Sequence, residues 1–229
     1  MYKFASQYFD FPSNHTAIID DAVTFVQKAQ KEEVRPYDYI VHDVFTGGVE
    51  PVDLFTLEFM LGLNALLKDD GVVAIVSFPL RLIKTLRRFI ILTAKIQNYA
   101  GDLSLPGTGL VVRTVQTAFP RCRIFREDDP ETAALTFTNM VIFCKKGRTP
   151  LRFRAPTSAD FLGSKSRESY MFPQFEIDPM IFEDTDVQSS QRILQVGKTD
   201  LLEAYHTRSA IGHWKIMRTV LPVEIWENW

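Results

Sequence analysis

Three carboxylates fall where short apolar stretches end: Asp20 and Asp21 after "TAII", and Asp43 after "YDYIVH" and before "VFTGG". A carboxylate at the end of a strand can orient or deprotonate an amine; it can equally cap the next helix or turn. The other chemical residues form weaker patterns. His15, His42, His206 and His213 share no ligand spacing and read as packed or surface histidines. Cys122 and Cys144 are too few for a disulfide framework or a zinc site, and read as buried thiols in a reducing compartment. No metal is expected. "VGKT" at Val196 to Thr199 lacks the earlier glycine of a phosphate loop, because position 192 is Arg. "GTG" at Gly107 to Gly109 follows no strand and reads as a turn.

The elements that would hold these residues follow from the spacing. Thr16 to Ile19 reads as a short strand, and the run through Phe25, Val26 and Ala29 as an amphipathic helix. "YDYIVHDVF" is a strand with a Gly47-Gly48 turn after it, "VDLFTLEFMLGLNALL" a helix, and "GVVAI" a buried strand. "LVVRTVQTAF" is a helix; "CRIFRED" and "FTNMVIFCKK" form an antiparallel hairpin closing one sheet edge.

This alternation predicts an α/β class: a Rossmann-like, mostly parallel sheet with a C-terminal antiparallel hairpin and ligands bound beyond the carboxyl ends of the strands. Residues 1–146 form the domain. Residues 147–229, richer in Pro, Ser and charge before a helical stretch holding the tryptophans, form an irregular or helical extension.

The 229 residues carry 46% hydrophobic residues, enough for a sizeable core, and a formal net charge of -2, which offers no global attraction to nucleic acid or acidic lipid. The first residues lack the pattern of a secretory signal, so a cytoplasmic location is expected.

"DDAVTFV", "YDYIVHDVFTGGVEPVDLFTLEF", "LLKDDGVVAI", "NYAGD", "FPRCRIFRE" and "TNMVIFCKK" together resemble the spermidine/spermine synthase family, a branch of the class I S-adenosylmethionine-dependent transferases, and most of all its fungal spermidine-synthase-like members. The resemblance covers residues 1–146. It implies that Asp21 and Ala22 bind the adenine of S-adenosylmethionine or its decarboxylated form, that Asp43 faces the reacting centre, and that Asn98 and Tyr99 line the acceptor pocket. The acceptor would be a small-molecule amine such as putrescine or spermidine, the assembly a homodimer, with no nucleic acid or membrane partner. Where the family motif places its amine-activating Asp this chain has Thr46, whose hydroxyl cannot take a proton from an ammonium near neutral pH. Aminopropyl transfer is therefore in doubt; methyl transfer, or a binding role, stays open. The chain also starts just after the point where the family has two strands, a Gly-rich turn and the acid for the cofactor ribose. It is thus expected to be truncated at its amino end, to lack the first strands of its sheet, and to bind the cofactor weakly or not at all.

Removing Val76 to Gln97 restores the family's junction between "GVVAI" and "NYAGD". The Val-Ser and Gln ends of this insert match codons of common splice borders, so it reads as a retained intron. In the rival reading Leu82, Ile83, Leu86, Phe89 and Ile90 line one face of a basic amphipathic helix with Arg81, Lys84 and Arg88 on another. That helix and the Trp-rich tail would serve a non-catalytic interaction module.

Overall fold

A computed structural model describes residues 7–8, 17–32, 34–44, 51–76, 103, 106–127, 129–131, 140–183 and 192–220. Thr46, Asn98, Tyr99 and the segment 77–97 lie outside the described residues.

Helix α1 (Ala22–Lys31) opens at Asp21, whose carboxylate accepts from the Thr24 backbone N–H. It buries Val26 and Ala29 and places Lys28 and Lys31 in its last turn, where they complement the helix dipole. Strand β1 (Tyr37–Asp43) follows. The expected single helix over residues 52–67 is broken into a 3-10 turn, Val52–Phe55, and helix α2 (Leu57–Leu66). The break is at Thr56: its hydroxyl donates to the Asp53 carbonyl at 3.0 Å and accepts from the Phe59 N–H at 3.4 Å, which caps a new helix rather than continuing the old one.

Strand β2 (Leu67–Val76) then pairs in parallel with β1, with His42 opposite Ile75 and Asp43 opposite Val76. Helix α3 (Pro106–Ala118) includes Gly107 to Gly109 in its first turn, so the expected turn there is helical. Proline at a helix start loses no hydrogen bond, and Gly109 admits a close neighbour: a Cβ there would lie 3.0 Å from the Phe182 carbonyl oxygen.

Strands β3 (Arg121–Arg126) and β4 (Met140–Lys145) form the expected antiparallel hairpin. The sheet runs β1-β2-β4-β3-β5, where β5 (Phe175–Ile177) pairs antiparallel with β3 and takes the edge expected for the hairpin. Of the four pairings described, β1 with β2 is parallel and the other three are antiparallel, because the hairpin strand β4 inserts beside β2. The architecture is a Rossmann-like α/β sheet with its antiparallel strands at the carboxyl side of the chain.

Of the remaining segments, the two that follow β5 pack against helix α3. Helices α4 (Ser158–Phe161) and α5 (Lys165–Tyr170) precede β5, and a 3-10 turn (Pro179–Phe182) and helix α6 (Asp200–Val220) follow it. Ile177, Phe182, Leu194 and Leu202 join Met60, Val73, Val112, Val115, Phe119 and Ile124 in one core. The buried Thr114 hydroxyl accepts from the Leu194 N–H at 2.8 Å, and Arg113 donates to the Phe182 carbonyl at 2.6 Å.

Two further expectations are corrected. Residues 17–19 are not a strand: Ile18 and Ile19 are 67% and 92% exposed, and none of the described strands lies beside them to supply ladder hydrogen bonds. Cys122 and Cys144 are not free thiols but a disulfide across β3 and β4. They are register partners in that pair, which puts their Cα atoms 4.1 Å apart, a separation the spacing alone could not reveal.

Candidate functional site

The open edge of β1 borders a cleft of about 350 Å³ between the strand and helices α1 and α2. Ala22, Phe25 and Val26 line it from α1, Tyr37 and Tyr39 to Val44 from β1 and its end, and Leu54, Phe59, Leu63 and Leu66 from the helical layer. Its size is at the lower end of small-molecule sites, and its wall is chiefly apolar, as such sites are.

Of the site residues read from the sequence, Ala22 and Asp43 meet at this cleft, and Asp21 adjoins it as the cap of α1. Asp43 is exposed at the carboxyl end of β1, with His42, buried, immediately before it. The backbone N–H of Thr24, and then its hydroxyl, hold the Asp21 carboxyl below the usual carboxylate range. Asp20 donates nothing to the cleft wall; its carboxylate pairs with Lys28 at 2.9 Å and accepts from the Asp21 N–H. The Lys28 pairing lowers its pKa as well.

His42 is the residue that pattern reading passed over. It is 6% exposed, and its ring meets Phe55 and Phe59 edge-on with centroids 5.1 and 5.8 Å away. Among the described residues, neither Nδ1 nor Nε2 has a hydrogen-bond partner. Burial pushes its pKa down to about 4; the backbone at His42 itself and at Leu54 pulls weakly the other way without closing a hydrogen bond. The imidazole is therefore neutral near pH 7, with one donor and one acceptor nitrogen. Leaving such a group unsatisfied costs roughly 1–3 kcal/mol, which a phenylalanine of similar shape would not incur. The sequence signal was the alternation in "YIVHD", which sets His42 on the inward face with Ile40.

The two residues that the resemblance gives to adenine stand at one end of this cleft, Ala22 in its wall and Asp21 beside it. The exposed Asp21 carboxylate can accept from an adenine amino group, and the apolar wall from Ala22 and Phe25 can meet its ring. The described residues supply no matching polar set for the ribose or the methionine end.

No family model matches the chain. It is 47% identical over 236 residues to an N-terminal histidine N-methyltransferase of Emericella nidulans, a match covering 100% of this chain and 38% of that protein. The chain thus spans well under half the length of this relative. Among solved structures it is similar to a probable spermidine synthase from Corynebacterium glutamicum, with a TM-score of 0.51 at 16% identity over 85% of this chain and 59% of that one. A spermidine synthase in complex with the transition-state analogue AdoDATO gives a TM-score of 0.46 at 16% identity, over 88% of this chain and 57% of that one. At this identity the first likeness establishes the fold alone, a Rossmann-like α/β fold shared with that probable spermidine synthase, and the fold class drawn from the sequence holds.

Proposed function

We propose that this chain is part of an S-adenosylmethionine-dependent methyltransferase that methylates a nitrogen of an amino-terminal histidine. The observation that carries the reading is the 47% identity running through 100% of the chain, so every element lining the cleft falls inside the matched span. Methyl transfer is favoured over aminopropyl transfer for a second reason. Thr46 stands where a polyamine synthase needs its amine-activating carboxylate, whereas a neutral imidazole nitrogen already carries a lone pair near neutral pH.

The methyl donor supplies an electrophilic carbon on sulfonium sulfur. Asp21 and Ala22 hold its adenine side, and Asp43, at the carboxyl end of β1, faces the acceptor and stabilises the positive charge that develops on the attacking nitrogen.

The test is methyl transfer from labelled S-adenosylmethionine to a peptide beginning with histidine, read by mass spectrometry. The same peptide with an alanine start, and putrescine with the decarboxylated donor, serve as controls. One added methyl group on the histidine peptide alone is expected. Brisk spermidine formation would overturn the reading in favour of the polyamine family. Calorimetric titration of this chain by itself with S-adenosylmethionine should show weak binding, since the described residues offer polar contacts only at the adenine end; saturation in the low micromolar range would contradict that.

A further inference from the structure

We propose that His42 orients the acceptor: its neutral imidazole takes a hydrogen bond from an N–H of the substrate's terminal histidine and aims the neighbouring lone pair at the methyl carbon. The inference rests on the methyl-transfer reading above. It is carried by the geometry of a buried ring that lines the cleft, stands one residue before Asp43, and has both nitrogens without a partner among the described residues.

Packing does not account for this residue. Phe55 and Phe59 meet the ring edge-on, contacts an apolar aromatic would make equally well. What phenylalanine could not supply is a hydrogen-bond acceptor within an apolar wall. The titratable side chains bordering the same cleft are Tyr37, Tyr39 and Asp43, and Asp43 points from the opposite side of the strand. His42 and Asp43 thus offer two polar contacts from two faces of one strand end.

The role is orientation and not general base. A nitrogen that has just gained a methyl group sheds its proton at an ordinary imidazole or amine pKa, well above the value of about 4 that burial gives His42, so proton transfer to this ring runs uphill. The new N–C bond forms as the C–S bond breaks with its electron pair on sulfur, and the surplus proton leaves to water. His42 needs only to hold the ring plane of the acceptor before that step.

Three forms of the full chain decide the matter: wild type, His42→Phe and His42→Gln, assayed for methyl transfer to a histidine-initiated peptide and for Tm. We expect His42→Phe to melt at or above the wild-type Tm while kcat/KM falls at least roughly tenfold, the loss of one hydrogen bond to the substrate. His42→Gln, which keeps a donor and an acceptor, should recover part of the loss. Wild-type kinetics in His42→Phe would overturn the proposal, as would an equal fall of both variants in Tm and rate, the signature of a structural ring. If the wild type transfers no methyl group to any acceptor, the functional reading fails, and the NMR signals of the His42 ring nitrogens during titration with the same peptide decide the contact alone. Their movement on binding supports it, and unmoved signals at saturating peptide overturn it.

Discussion

Glu176 and Arg123 close a two-pronged clasp between the edge strand β5 and the hairpin strand β3: Nε and Nη2 of Arg123 donate to the two carboxylate oxygens at 2.7 and 2.6 Å. The guanidinium also lies over Phe125 and Phe153, 5.0 and 5.1 Å from their centroids. The clasp holds the Glu176 carboxyl below and the Arg123 guanidinium above their ordinary pKa ranges. Both side chains remain more than a third exposed, so water screens the pair. Glu176→Gln should therefore cost only roughly 0.5–1 kcal/mol. Because the folded carboxyl titrates below the unfolded one, that contribution is present above the ordinary glutamate pKa and is lost as pH falls through the folded value. Urea unfolding of both forms at neutral and acid pH checks it; a difference that persists at low pH would mean the substitution acts through packing.

Gly62 is the point at which α2 touches α1. A Cβ there would lie 2.5 Å from Cγ1 of Val26, a buried β-branched side chain that has little freedom to turn aside. In an exposed helix Gly→Ala gains up to about 1 kcal/mol; here the helices must separate. Gly62→Ala should lose roughly 1–3 kcal/mol by overpacking. Since Val26 also lines the cleft, ligand binding should weaken with it. Chemical denaturation of the purified variant measures the sign, and a gain in stability would show that the α1–α2 contact yields.

The parts of this fold legible in the sequence are those whose period is local. "YDYIVHD" and the hairpin strands alternate, and α1 and α3 carry apolar residues at helical spacing, so their existence and order were readable. What was not readable depends on partners distant in the chain. Ile18 and Ile19 have a strand's composition but no neighbouring strand among the described residues. Thr56 interrupts an apolar stripe that continues unbroken through it. Cys122 meets Cys144 only once the hairpin register is fixed. Within the candidate site, Asp21 and Asp43 stand out in the sequence as carboxylates at element ends, whereas Ala22 is singled out only by the family resemblance. His42 was missed because a histidine on an inward strand position looks like any packed ring until its two nitrogens are found unpartnered.

The Cys122–Cys144 bond closes a loop with a sequence separation of 22 residues. In the chain-entropy model a loop of this size stabilises by about 3 kcal/mol by restricting the unfolded chain. Denatured protein without reductant should resist thiol alkylation at both cysteines, and adding reductant should lower the unfolding midpoint accordingly. Two readily alkylated thiols in the unreduced denatured chain would show that these register partners remain reduced.

His42 gives the fold an acid sensitivity whose window can be stated in advance. The unfolded imidazole titrates near 6.5, the folded one at about 4, so below 6.5 the unfolded chain binds a proton that the folded chain refuses. Stability is unaffected by this group above pH 6.5, falls as pH drops through the interval, and levels off below the folded value. The full interval corresponds to about 3 kcal/mol, and roughly 2 kcal/mol should be gone by pH 5. Glu176 and other depressed carboxylates act at lower pH, so the region between pH 6.5 and 5 isolates the histidine. His42→Phe removes the titrating group while keeping the ring against Phe55 and Phe59, and should flatten the profile in that region. Denaturant unfolding of wild type and variant at pH 7, 6 and 5 provides the comparison. Parallel profiles would mean that His42 takes up its proton in the folded state, which the buried, unpartnered ring at the end of β1 does not allow.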